Sequence, residues 1–129
     1  MSPVAEVPEG IVAATADQPS ARAALAAASA EPFHAYLLAG PPGSGKREAA
    51  RALAAELLAD GAPDPADSRR RALADPSPHP DLVWLRPPGT QHLVDEVRER
   101  VIAQVAYRPF EGERRVFVIV PPEGGTILI

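Results

Sequence analysis

Apolar residues in this chain form two kinds of pattern, short unbroken runs and stripes that recur every three or four positions. "HAYLLAG" from His34, "DLVWL" at Asp81–Leu85, "RRVFVIV" ending at Val120 and the terminal "TILI" are runs of the first kind, with the length and aliphatic content of buried strands. From Gly45 to about Ala59, residues Ala50, Leu53, Ala54, Leu57 and Leu58 stand at i, i+3, i+4, i+7 and i+8, one face of a helix. A second stripe, Leu93, Val97, Val101 and Val105, predicts a helix capped by Thr90, with Asp95, Glu96, Arg98, Glu99 and Arg100 mostly outward. Glu96 and Arg100 stand there in the favourable i,i+4 order. Upstream, "ADQPSARAALAAASA" predicts a short alanine-rich helix through Ala30, capped by Asp17 or Ser20, that packs on the domain's flank. Strand, helix, strand, helix, strand with apolar strands predicts an α/β fold: three layers, with a mostly parallel sheet covered on both faces.

Three stretches interrupt that rhythm. Residues 1–13 carry two prolines, Pro3 and Pro8, and no periodicity and read as an extended arm, leaving 14–129 for the folded domain. Residues 60–80 are proline-rich and read as a connection over the surface, with at most one helical turn near "SRRRALA". The run Arg69–Arg71 within it reads as solvated charge, with contact to DNA phosphates or an acidic partner as the alternative. Finally, only "PPEGG" separates Val120 from Thr126, whereas neighbouring parallel strands need a crossover of about a dozen residues. "TILI" therefore either returns antiparallel as an edge strand, or follows a missing segment.

Composition narrows the function classes. The 129 residues are 46% hydrophobic and 23% charged, which suits one globular domain. A net charge of -4 gives no basic footprint for nucleic acid. The absence of cysteine excludes disulfides and Cys-based zinc sites. No apolar run is long enough to span a bilayer and no signal-peptide pattern opens the chain, so a soluble cytoplasmic protein is expected.

The candidate chemistry lies in "LLAGPPGSGKREAA", Leu37–Ala50. A strand, a glycine-rich turn, a lysine and a helix are the parts of a phosphate-binding loop, whose backbone N–H groups surround the phosphates. Gly40, Pro41, Pro42, Gly43, Ser44, Gly45, Lys46 and Arg47 are the candidate nucleotide-binding residues, with Lys46 reaching the outer phosphates. Such a loop normally carries serine or threonine after the lysine, and an acidic residue at a neighbouring strand end, to hold magnesium. Here Arg47 occupies the first position, and "VFVIV" runs into Pro121 and Pro122 with no carboxylate before Glu123. A guanidinium cannot coordinate a cation. Arg47 either forks onto phosphate oxygens, allowing ATP to bind without hydrolysis, or is a solvated helix residue beside Glu48 and Arg51. Unusual recruitment of magnesium through Glu123 or Asp81 is the route left to an active ATPase.

"HAYLLAGPPGSGKREAARALAAELL", "HPDLVWLRPPG", "LVDEVRERV" and "RPFEGERRVFVI" together resemble the N-terminal AAA+ P-loop domain of the bacterial DNA polymerase III delta prime subunit, part of the sliding-clamp loader. The likeness runs from about Ala14 to Ile119, and its most telling pieces are His34-Ala35, the "HPD" at 79–81 and "EGERRVFVI". It implies a replication subunit that turns over no ATP and works with the gamma/tau and delta subunits, and through them with the clamp and primed DNA. The related gamma/tau subunit, an active ATPase, is the competing resemblance, and a fragment without activity is a third reading. The family often carries a cysteine zinc module where this chain has 60–80; without cysteine no zinc is expected, and His79 and His92 each read as surface or turn residues. "VPPEGGTILI" looks like both ends of a longer family segment joined together. By this reading the domain is incomplete at its C-terminus, and the lid, the arginine finger and the collar lie beyond it.

Overall fold

The computed structural model describes residues 7–33, 35–39, 43–86, 95, 97–102, 108–120 and 126–128. Its centre is helix α3 (Lys46–Ala59), which is buried at Ala49, Ala50, Ala52, Leu53, Ala54, Ala55, Leu57, Leu58 and Ala59. The expected stripe thus widens to most of the helix circumference. Alanine makes this possible, because its small side chain lets neighbours approach from several sides at no cost in side-chain entropy. Helices α1 (Glu9–Ala14), α2 (Pro19–Ala30) and α4 (Pro65–Leu73) all pack on α3.

On another side α3 meets a four-stranded sheet in the order β1 (Leu37–Ala39), β4 (Thr126–Leu128), β3 (Val116–Ile119), β2 (Leu82–Leu85). β2 and β3 run parallel from Leu82↔Val116 to Leu85↔Ile119. Period-two alternation turns Leu82, Val116 and Val118 into the core, with Trp84 packed against them. The sheet is mixed rather than mostly parallel, since β4 is antiparallel to both β1 and β3. The five-residue link before Thr126 is too short for a parallel crossover, so the chain doubles back. β4 nevertheless lies inside the sheet and not at its edge. β1, expected as a buried parallel strand, is instead an edge strand with Leu37 66% exposed. The three-layer expectation narrows as well, because the principal helix contact with the sheet among the described elements is α3.

Several local expectations are corrected. Residues 9–13 are not an extended arm: Glu9–Ala14 is helical, and Ile11 is fully buried in the core. Pro8 stands just before the first helical residue, where a missing N–H costs nothing, and Arg22 ties the far end by donating to the carbonyls of Val12 and Thr15. α2 is capped by neither Asp17 nor Ser20; it starts after Gln18 with Pro19 in its first turn, and Asp17 takes a left-handed φ of 62°. Residues 65–73 are a full helix, not one turn. Asp64 accepts a hydrogen bond from the Asp67 N–H at 3.2 Å, Pro65 opens the first turn, and Arg70 and Arg71 face the negative end of the helix dipole. The helix expected from Thr90 falls largely outside the described residues, including Thr90, Leu93, Glu96 and Val105. Its described part, Val97–Ile102, is π-helical, with Arg98, Glu99 and Arg100 exposed.

Candidate functional site: the glycine loop and the clamp behind it

The glycine loop lies between β1 and α3, as its sequence demands. Gly40, Pro41 and Pro42 fall outside the described residues. Gly43 and Gly45 have φ of 81° and 87°, left-handed values that side chains with a Cβ rarely adopt, so glycine is needed at both. Gly45 is the N-cap of α3, and the first helical bond runs from the Ala49 N–H to its carbonyl. The N–H groups of Lys46, Arg47 and Glu48 therefore have no acceptor within the helix and mark its positive end. Lys46 is buried to 9% exposure, whereas Arg47 and Glu48 are exposed.

Beside the loop opens a cleft of about 470 Å³, walled by α2 and β1 and floored by Leu53. Its volume suits a small-molecule site. The walls are mostly apolar, with Ala24, Leu25 and Ala28 from α2 facing Leu38 from β1; Gln18, Tyr36, Ser44 and Lys46 supply the polar groups. No carboxylate lines it among the described residues. The Ser44 Oγ is buried and finds no hydrogen-bond partner among the described residues, and a buried hydroxyl of that kind can be completed by a ligand or water. Gln18, which the sequence did not single out, also lines this cleft: its side-chain amide donates to the Ser44 carbonyl at 2.9 Å and ties the start of α2 to the loop.

The magnesium ligands that such a loop implies do not fit. Arg47 cannot ligate a cation. Asp81, the substitute named from sequence, is fully buried, and its two carboxylate oxygens accept the Phe110 N–H at 2.7 Å and the Glu111 N–H at 3.0 Å. Glu123 lies outside the described residues, among which no group of acidic or histidine side chains is placed to hold a metal ion.

Asp81 belongs to a clamp that joins two of the most telling sequence pieces, "HPD" and "EGERRVFVI". Besides its side-chain bonds, its carbonyl accepts the Val116 N–H at 2.8 Å, so it sets the entry to β3. His79 is not a surface residue: it is 4% exposed, and its Nδ1 accepts the Asp81 N–H at 3.1 Å. That bond leaves the proton of the neutral ring on Nε2, which donates to the Ser68 Oγ at 2.8 Å. The Ser68–His79 pair is therefore no nucleophile and base, because the imidazole nitrogen facing the hydroxyl holds a proton already. The run Arg69–Arg71 is also not simply solvated. Arg69 meets Glu56 at 2.7 Å, Arg70 meets Asp67, and Arg71 bridges Asp67 at 2.9 Å to Glu111. Arg69 thus ties α4 to α3 and Arg71 ties it to the turn before β3, whereas Arg70, among the described residues, pairs only within α4 and keeps its side chain exposed, as a solvated charge.

Burial pushes the His79 imidazole below its ordinary pKa of 6.5, with Glu111 opposing and the charge of Arg71 assisting. The hydrogen bond from Arg71 holds the Glu111 carboxyl below its ordinary 4.5. A depressed native pKa means that the unfolded chain takes up the proton first. The His79 contribution to stability is complete above pH 6.5 and declines as pH falls towards the native value; the Glu111 contribution declines only below pH 4.5. Urea midpoints followed through Trp84, the chain's single tryptophan, should fall between pH 7 and pH 5. The His79→Gln variant, less stable at neutral pH, should lose most of that slope; an unchanged slope would assign it elsewhere.

A family model described as DNA polymerase III, delta subunit, matches residues 18–124. The chain belongs to this family. The match spans α2, the loop, the clamp and β3, and makes the chain a clamp-loader-type subunit of DNA polymerase III, represented here by the N-terminal domain. Comparisons with curated proteins and with solved structures gave no match. No helix among the described residues of this delta-family chain is long and apolar enough to cross a membrane.

Proposed function

We propose that this chain is a delta prime-like subunit of the clamp loader: an AAA+ partner that hydrolyses no ATP, retains a nucleotide cradle at Gly43–Arg47, and acts in the cytoplasm through gamma/tau and delta. One observation carries this reading. An exposed guanidinium, Arg47, stands where the magnesium-holding hydroxyl belongs, while Asp81, the named substitute among the described residues, is sealed in the fold. Phosphoryl transfer depends on the metal to neutralise developing charge and to position the phosphate. A loop without metal ligands can bind and hold shape, and turns nothing over.

Two measurements test it. With magnesium and ATP, phosphate release should stay at the buffer blank; turnover that Lys46→Ala removes would favour the gamma/tau-type ATPase. Mixed with gamma/tau and delta, the chain should co-elute with them, and failure of a longer version to join them would undo the assignment.

A further inference from the structure

His79 joins α4 to the entry of β2 through bonds that only a neutral ring can make. Its Nδ1 accepts the Asp81 N–H at 3.1 Å, its Nε2 donates to the Ser68 Oγ of α4 at 2.8 Å, and a Glu111 carboxylate oxygen lies 3.7 Å from that same Nε2. A proton on Nδ1 would set N–H against N–H, and the bond from Asp81 must then break. We infer that His79 is a proton-operated latch: charging its ring releases the turn at residues 108–113 from α4 and from the entry to β2, while α3 and the sheet stay folded.

An imidazolium carries two donors and needs two acceptors. The charged groups that face it are Asp67 and Arg71 from α4, Glu111 from the turn, and Asp81 beside β2. Asp67 already takes Arg70 and Arg71 within its own helix. The carboxylates left to receive the ring are those of Glu111 and Asp81, and each of them docks the turn. Glu111 accepts from the Arg71 guanidinium, and Asp81 accepts from the Phe110 and Glu111 N–H groups. Whichever carboxylate turns to the charged ring withdraws from a bond that holds the turn in place. Burial and the charge of Arg71 oppose protonation of the docked ring, so proton uptake and release of the turn favour each other.

The turn can leave without the core. Arg108 and Glu113 are exposed and the Phe110 ring is 73% exposed, so release uncovers little apolar surface. Arg114 anchors its far end, donating to the Leu57 carbonyl at 3.2 Å and meeting Asp60 at 2.8 Å, and supplies the hinge. A segment docked by polar bonds over few buried apolar contacts is one where local opening costs least.

Amide hydrogen exchange of the intact chain, read by NMR at pH 7 and pH 5 and corrected for the intrinsic rate, tests this. Glu111 stays ionised at both, since its carboxyl is held below 4.5. Protection of the Asp81, Phe110 and Glu111 amides should fall about tenfold at pH 5, with the α3 amides unchanged. His79→Gln keeps one acceptor and one donor but cannot take the charge, and it leaves His34 and His92 in place; its turn should show the same protection at both pH values. Loss of α3 protection in step with the turn would mean that the proton unfolds the domain, and unchanged protection of the turn would mean that the ring latches nothing. Either result overturns the inference on the wild-type chain alone, and a fall that persists in the glutamine variant would assign the proton to another group and overturn it too.

Discussion

Asp81→Ala should cost about 4 kcal/mol of folding stability, the largest single-residue effect expected outside the helical core. The side chain is fully buried and accepts from two backbone N–H groups at 2.7 and 3.0 Å. Each bond to an ionised acceptor contributes about 1.5 to 3 kcal/mol, and removing the carboxylate leaves both donors unsatisfied in a dry place. Part of that loss is offset because a buried anion no longer has to be kept from water. Arg115, whose Nε is 4.0 Å from the carboxylate and whose guanidinium lies over Phe110 and Phe117, loses a favourable neighbour at the same time. Since a domain of this size is stable by only about 5 to 15 kcal/mol, the alanine variant approaches the limit of folding. Asp81→Asn keeps one acceptor and should stand between it and the wild type. Urea unfolding followed through Trp84, whose ring is met by the guanidiniums of Arg51 and Arg86 at 4.7 and 5.3 Å, measures both. A loss under about 1 kcal/mol for the alanine variant would show that the clamp does not hold the turn to β3.

The clamp also shows where sequence reasoning stops. "HPD" and "EGERRVFVI" were marked out by resemblance alone; their physical meaning, a carboxylate that takes two N–H groups some thirty residues downstream, is a long-range pairing that no local pattern encodes. What periodicity did carry was the set of apolar elements, because burial of one face leaves a mark at every third or second position. α3, β2 and β3 were legible for that reason. Prolines caused the two missed helices. At Pro8 and Pro65 they were read as breakers, yet each stands at a helix start, where its fixed φ helps and its missing N–H is not needed. Asp64-Pro65 ahead of an acidic first turn and a basic last turn was a readable start signal. Strand direction was legible for β2 and β3, which run parallel as the strand-helix-strand pattern predicts, and at the last join, where loop length made antiparallel return one of two readings. The place of β4 inside the sheet was not, since it depends on which open edge the returning strand meets.

Leu53→Ala should lower stability by about 3 kcal/mol, within the range of about 2 to 5 kcal/mol for burying and then deleting a leucine side chain. Leu53 is fully buried in the helix on which α1, α2, α4 and the sheet converge, so no neighbour can shift to fill the space without disturbing another. It also floors the cleft beside the glycine loop. Deleting it therefore enlarges an existing opening rather than sealing a void, and water entering there moderates the cavity term. Leu58, 3% exposed in the same helix and not part of the cleft lining, supplies the contrast. Leu58→Ala removes a side chain away from the cleft and should cost about 1 kcal/mol more than Leu53→Ala in parallel urea titrations. Equal or reversed losses would mean that the cleft is closed to water in solution. The Leu53 variant should retain the left-handed glycines in place, so its affinity for a fluorescent ATP analogue measures how much the apolar floor contributes to the proposed nucleotide cradle.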